Sequence, residues 1–531
     1  MHYFGEDMLF VPRLGWYRWQ EKRWLADEDE LTVRRDAQHV AAQILNEVAH
    51  MAFEPFERDA LELARTTAEA LKVLETKMAD ERSEEEAARL LELREFAVKA
   101  SRINAAFGKR KTEHRGHAKN SGNTSKISNM LQEARTEKAC SINDLNADPL
   151  MVNVGNGTLH FKFDIDEHDA DWGDRVAKWK VVLLPHNREH MISKLMPVEY
   201  VPGAPCPEWL GFLNVVQPDA GMQDFLQRWC GYCLTGKTTE QKLVFNFGHG
   251  RNGKSTFVDL LARIFADYGT TVPIETLTGS EQRKGSDATP DLVKLPGARF
   301  VRASEPEQGT RMKEALIKAL TGGEAIMIRR MMQEFVEVQP EFKLMISGNH
   351  KPEIRGSDDG IWRRVLLVPW AVQIDKEAAD KDLPDKLWDE AEGILAWLVD
   401  GCLKYLQTGL EIPEVVSAAT DDYRQESDKM RLFLQTECNI TGAPEAFEKA
   451  RDLADAFNGW LISRGDAVWG RRQLSIALKD RAAVVQGPNG QHFSWKKRSD
   501  SGYGGISLTK EARDRISEHS EEIRAGAARK G

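Results

Sequence analysis

The chain has 531 residues, 41% of them hydrophobic and 29% charged, with a formal net charge of −10. That length is too great for one core, and two to four domains are expected. No apolar run is long enough to cross a bilayer, and the acidic balance argues against a surface coated for nucleic acid while leaving room for a local basic channel.

Met1 to about residue 30 mixes Trp, Tyr and Arg in alternation, which reads as a small β-hairpin. From Leu31 to about Phe107 the pattern is helical, with MADERSEEEAARLLELREFAVKAS as a long exposed helix carrying Glu and Arg at helical spacings. Neither basic n-region nor apolar h-region opens the chain, so no secretory leader is expected. GKRKTEHRGHAKNSGNTSK, 108–126, is dense in Lys and Arg and in Gly, Ser and Asn. It reads as a mobile loop between helices, with a nucleic-acid backbone contact as the functional alternative. Residues 148–200 are β-rich around an acidic cluster, DIDEHDADWGD, which reads as a solvated loop rather than a metal pair at Asp164 and Asp166.

Prolines 202, 205 and 207 punctuate a boundary, and helical text follows from Trp209 to Gly236. It carries Cys230 and Cys233, a C-x-x-C without a second pair, better read as two small apolar helix residues than as half a zinc site. The six cysteines are scattered, which fits a reducing cytosol. Residues 242–370 alternate short apolar strands with helical segments, the pattern of an α/β layer with a mainly parallel sheet. Residues 384–436 are helical, and 450–515 read helix, helix, then a Gly-rich hairpin.

Within the α/β layer, GHGRNGKST matches G-x-x-x-x-G-K-[ST] in full, between an apolar strand, LVFNF, and an amphipathic helix. Strand, loop and helix in that order aim backbone N–H groups at a polyphosphate. Gly248, His249, Gly250, Arg251, Asn252, Gly253, Lys254, Ser255 and Thr256 are therefore the candidate nucleotide-binding residues. Lys254 would neutralise the β- and γ-phosphates and Ser255 would ligate Mg²⁺. GARFVRASEPE is a strand ending in Glu305 and Glu307, carboxylates that can orient Mg²⁺ or polarise water at the ligand-binding edge of a parallel sheet. FKLMISGNHKPEI is another strand, ending at Asn349. GIWRRVLLVPW sets Arg363 and Arg364 before a further strand, where an arginine can stabilise transition-state charge on a neighbour's γ-phosphate. AIMIRR and FVEVQP read as a hairpin with Arg329 and Arg330 near its end. In the tail, Arg471, Arg472 and Lys479 fall on or near the recognition helix of the helix pair, and Lys496 and Lys497 in the hairpin.

These segments, in this order and spacing, resemble the superfamily 3 helicases, and more narrowly the helicase part of phage and plasmid primase–helicases related to the poxvirus primase–helicase. DPLMVNVGNGTLHF resembles the stretch before the helicase core, and the tail resembles a winged-helix region. The resemblance implies a P-loop NTPase core of modified AAA+ type in an α/β class. It implies a mainly helical N-terminal region and a C-terminal winged-helix-like domain. On that reading 1–205 is a pre-helicase collar, 206–380 the ATPase core, 381–436 a helical segment and 437–531 the winged-helix-like domain. It further implies a ring hexamer, ATP cleaved between subunits, and 3′-to-5′ movement on single-stranded DNA in phage or plasmid replication, in a bacterial host's cytosol. Lys254 and Ser255 then form the Walker A pair, and Glu305 with Glu307 takes the Walker B role, Glu305 also serving the metal. Asn349 is the sensor and Arg363 or Arg364 the finger. Arg329 and Arg330 fall in the DNA-contacting hairpin, and Arg471, Arg472, Lys496 and Lys497 bind DNA in the tail. ATP and Mg²⁺ are the expected cofactors, and single-stranded and forked DNA, further copies of the chain and a separate primase or polymerase the expected partners. No acidic triad for nucleotide polymerisation stands before the core. An ATP-switched initiator without unwinding and a P-loop kinase are the alternatives.

Overall fold

The computed structural model describes residues 3–166, 176–279, 289–329, 334–354, 359–378, 380–482 and 484–523. The chain divides into two compact units, one made of residues 1–145 with 187–193 and the other of 146–186 with 194–531.

The first unit opens with a three-stranded antiparallel meander, β1 (Met8–Val11), β2 (Gly15–Gln20) and β3 (Arg23–Asp27), one strand more than the hairpin expected. Trp16 and Trp24 are buried on it. Four helices follow: α1 (Leu31–His50), α2 (Pro55–Thr76), α3 (Glu84–Ser121) and α4 (Thr124–Glu137). The expectation of a loop at 108–126 is overturned, because α3 runs through it for a total of 38 residues. Its start is strongly specified. Ser83 and Glu86 close a capping box, and Glu84, Glu85 and Glu86 in the first turn complement the helix dipole. The basic segment continues the helix because Lys, Arg, Ala and Glu are good helix formers that outweigh two glycines. It is also tied down. Arg110 Nη2 meets the Glu57 carboxylate of α2 at 2.6 Å, His114 Nε2 meets Glu47 of α1 at 2.7 Å, and the Lys111 ammonium lies 4.6 Å over the Phe107 ring. The Arg110 guanidinium beside Glu57 holds that carboxyl below the usual glutamate value. The helix stops only at Gly122, and α4 begins two residues later.

The second unit begins with an antiparallel sheet, β4 (Met151–Val154), β5 (Gly157–Asp166) and β6 (Val176–Leu184). These strands belong with the α/β layer rather than with the collar assigned to 1–205. Gly236 N donates to Pro149 O at 2.7 Å, and Asn153 N donates to the Tyr268 hydroxyl at 3.0 Å. Asp164 lies on β5 and pairs across the sheet with Lys180. Helices α5 (Pro207–Val216) and α6 (Ala220–Tyr232) follow. Cys230 on α6 and Cys233 after it are buried and unbridged, as the apolar reading holds. The carbonyls past the end of α6 are met from the sheet: Arg299 donates to Leu234 O and Lys343 to Thr235 O.

The layer itself contains β7 (Leu243–Phe247), α7 (Lys254–Phe265), β8 (Gly269–Thr271), α8 (Ile274–Leu277), β9 (Phe300–Ser304) and α9 (Glu314–Gly322). A two-stranded antiparallel hairpin, β10 (Ile326–Ile328) with β11 (Val336–Val338), precedes β12 (Lys343–Gly348), α10 (Asp359–Trp362) and β13 (Val365–Pro369). Five strands form one sheet in the order β13, β7, β12, β9, β8, every neighbouring pair parallel. β12 is buried throughout and β7 and β13 nearly so, which is why their sequences are continuous apolar runs rather than alternating ones. The apolar face of α7, Phe257, Leu261, Ile264 and Phe265, is buried.

Helices α11 (Leu383–Asp389), α12 (Ala391–Thr408), α13 (Glu414–Ser427) and α14 (Lys429–Thr436) come next. The tail adds β14 (Cys438–Ile440), β15 (Phe447–Lys449), α15 (Ala450–Ser463), α16 (Arg471–Ala482), β16 (Ser494–Lys497), β17 (Ser501–Gly504), β18 (Ile506–Leu508) and α17 (Lys510–Glu518). Met430, Phe433 and Leu434 of α14 pack into the same core as Phe457, Leu474 and Tyr503 of the tail. The C-terminal core therefore starts before residue 437, the boundary drawn from sequence.

Candidate functional site

In an all-parallel sheet the carboxyl ends of the strands share one edge, and connections leaving them converge there. That edge gathers the loop 248–253 after β7, Glu305 directly after β9 and Asn349 directly after β12. The Lys254 ammonium stands among them. It donates to Gly248 O, to Asn252 Oδ1 at 3.2 Å and to Asn349 Oδ1 at 3.2 Å. Lys254 is 5% exposed. Burial pushes its ammonium below the ordinary lysine value, while the charge of Glu305 pulls it back up. Glu305 is exposed, is held in the left-handed region at φ 59°, and donates its backbone N–H to Ser347 O at 2.8 Å. Glu307 stands apart from this group, in an exposed turn where its carbonyl accepts from Thr310. Ser255 and Thr256 occupy the first turn of α7, with Ser255 exposed.

The three loop glycines differ in what they do. Gly253 has φ 81° and caps α7, and a Cβ there would lie 2.5 Å from Val216 Cγ1. Only glycine fits on both counts. At Gly248 a Cβ would lie 2.2 Å from Trp370 O and 2.5 Å from Asn252 Nδ2. Its constraint is therefore packing against the end of β13, not approach of a ligand. Gly250 has nothing within 4 Å of a Cβ. His249 and Gly250 are exposed, and Arg251, at φ 60°, accepts from Ile374 N at 2.7 Å.

Arg363 and Arg364, indistinguishable in the sequence, part company. Arg364 is buried, and its guanidinium bonds to Gly360 O and, at 3.5 Å, to Gln241 Oε1. Arg363 is exposed. Both precede the amino end of β13, and Arg364 O accepts from Leu243 N at the amino end of β7. They therefore stand across the sheet from the chain's own phosphate loop, about 17 Å away for a five-residue strand.

The hairpin formed by β10 and β11 is present. Arg329 leaves it with its guanidinium 5.1 Å over the Phe335 ring and its N–H on Thr289 Oγ1; Arg330 lies outside the described residues. In the tail, Arg471 and Arg472 are exposed at the start of α16. Arg472 lines a cleft of about 1120 Å³ shared with Arg424, Arg431, Trp362 and Ile476. Lys496 and Lys497 are exposed on β16, an outer strand. Beside them Trp495 is 43% exposed, with the Lys479 ammonium 5.3 Å from its ring. Sequence reasoning passed over this tryptophan, though its SWKK context, an aromatic among lysines, marks it. Trp370 and Asn246, also missed, look like plain core in an apolar run.

Comparison with known proteins adds a second line. The family described as "D5 N terminal like" matches residues 1–218, and a family of unknown function, DUF5906, matches 246–364. A putative helicase of Acanthamoeba polyphaga mimivirus is 30% identical over 241 residues, 42% of this chain and 25% of that protein. A putative helicase of Frog virus 3 is 27% identical over 300 residues, 53% of this chain and 30% of that protein. The matched stretch thus spans only a quarter to three-tenths of the length of these relatives. Among solved structures, the apo C-terminal region of NrS-1 is similar at 15% identity and TM-score 0.35, covering 59% of this chain and 78% of that one.

Proposed function

We infer the activity of this chain from its membership of the primase–helicase family, to which it belongs, and from the chemistry gathered at one edge of its parallel sheet. It is an ATP-driven DNA helicase of superfamily 3 type, with a modified AAA+ core, working as a ring hexamer that moves 3′-to-5′ on single-stranded DNA. The observation that carries the reading is the meeting of Lys254 with the Asn349 amide, within the field of Glu305. A buried ammonium at a helix N-terminus, held by two neutral amides within the field of one carboxylate, suits a polyphosphate that must be bound and then hydrolysed.

In this mechanism the backbone N–H groups of 250–255 and the Lys254 ammonium bind the phosphates. Glu305 accepts a proton from, or aligns, the attacking water, and Asn349 senses the γ-phosphate without adding charge. Ser255 and Glu305 are oxygen donors of the kind Mg²⁺ takes alongside phosphate oxygens and water, and when bound the ion neutralises phosphate charge. Arg363, exposed and across the sheet from its own loop, acts on the nucleotide of a neighbouring copy; the buried Arg364 holds α10 to β13 and Gln241. Arg329 and Arg330 at the hairpin, and Arg471, Arg472, Lys496 and Lys497 in the tail, contact DNA phosphates.

The test is ATP turnover with and without single-stranded DNA, followed by strand displacement on a fork. DNA-stimulated turnover with unwinding is expected, and Lys254→Ala should lower turnover by at least about 10²-fold. Turnover without unwinding would instead identify an ATP-switched initiator, and turnover that needs a small acceptor would identify a kinase.

A further inference from the structure

The site as described leaves one buried polar side chain without a role. Asn252 occupies a position where the phosphate-loop pattern accepts any residue, yet it is only 3% exposed. All of its amide is used. Nδ2 donates to His249 O at 2.8 Å and to Trp370 O at 3.1 Å. Oδ1 accepts from Lys254 Nζ at 3.2 Å and from Lys254 N at 3.4 Å. Trp370 is itself fixed on three sides. Its N–H donates to Phe247 O at 2.7 Å, its indole N–H to Asn246 Oδ1 at 3.0 Å, and its ring packs 5.3 Å from that of Phe257. Trp370 is 1% exposed and Asn246 is fully buried.

Resting on the nucleotide-binding reading above, we propose that Asn252 is a positioning residue that holds the Lys254 ammonium by tying it to the carbonyl of Trp370 at the end of β13. The amide joins two groups that the sheet alone does not connect. On one side is a backbone carbonyl fixed by β7 and the core. On the other is a flexible four-carbon stem ending in the charge that meets phosphate. Without the amide, the ammonium keeps Gly248 O and Asn349 Oδ1 but loses the acceptor that sets its height over the loop. Gly248 belongs to the same device, because a Cβ there would push against both Trp370 O and Asn252 Nδ2.

A role through Lys254 is separable from a scaffolding role by a double-mutant cycle on binding rather than turnover. A fluorescent ATP analogue is titrated, with Mg²⁺, into the full chain and into Lys254→Ala, Asn252→Ala and the double variant. Removing one hydrogen-bonded partner of a charged group corresponds to about a tenfold weakening. Asn252→Ala should show that tenfold loss in the parent chain and less than about twofold in the Lys254→Ala background, with the thermal midpoint of unfolding recorded for each. An equal loss in both backgrounds, or no loss in the parent, overturns the proposal while leaving the nucleotide site standing. Equal binding by the parent and Lys254→Ala overturns both. Asn252→Ser, too short to span the two carbonyls, carries the same cycle if the alanine variant does not fold.

Discussion

Two stretches of this chain look alike as text: GHGRNGKST, at the end of β7, and GKRKTEHRGHAK, in the last third of α3. Both are rich in glycine and basic residues. One is a loop jammed against its surroundings, the other an uninterrupted helix. The difference lies in the neighbours. Gly248 and Gly253 stand where a Cβ would collide with Trp370 O and Val216, whereas Gly108 and Gly116 have nothing within 4 Å. The loop is fixed by tertiary contact at the point where a strand must turn into a helix. The helix is fixed from its start, by Ser83 and Glu86, and by the partners of Arg110 and His114.

The largest expected effect extends the contrast to a third basic pair. Arg363→Ala should lower turnover by about 10³-fold, regained in part on mixing with Lys254→Ala subunits, with stability unchanged within about 0.5 kcal/mol. Arg364→Ala should instead destabilise the fold by about 2 kcal/mol, because Gly360 O loses its buried donor. Turnover by monomers at the assembled rate, measured across a dilution series, would break the assignment of Arg363 to a neighbour's site. Next comes Gly253→Ala, where strain at positive φ and overlap with Val216 add up to about 3 kcal/mol, read by urea denaturation. The smallest effect has the opposite sign. Gly108→Ala and Gly116→Ala should each stabilise the first unit by about 1 kcal/mol, seen as a raised thermal midpoint. A loss there would mean that the segment bends as a loop does.

Where a local rule and the tertiary setting agree, the sequence was readable. LVFNF followed by G-x-x-x-x-G-K-S gave strand, loop and helix in their true places, and the strands ending near Glu305 and Asn349 do reach the same edge as Lys254. Where the setting alone decides, it was not. Nothing in the adjacent letters of Arg363 and Arg364 says that Gln241 waits for one of them. The density of Gly, Ser and Asn at 108–126 suggested a break, but the breaking residue is Gly122, and upstream of it helix propensity prevails. The strands at 151–184 were placed with the collar by proximity in sequence, whereas Tyr268 and Gly236, far along the chain, claim them.

Helix α3 has a consequence of its own. At 1.5 Å per residue its 38 residues make a rod of about 57 Å, acidic at its first turn and basic over its last third. Counter-ions blur a charge beyond about 8 Å at physiological ionic strength. The two poles of the rod are therefore electrically deaf to each other, and each answers only to what lies beside it.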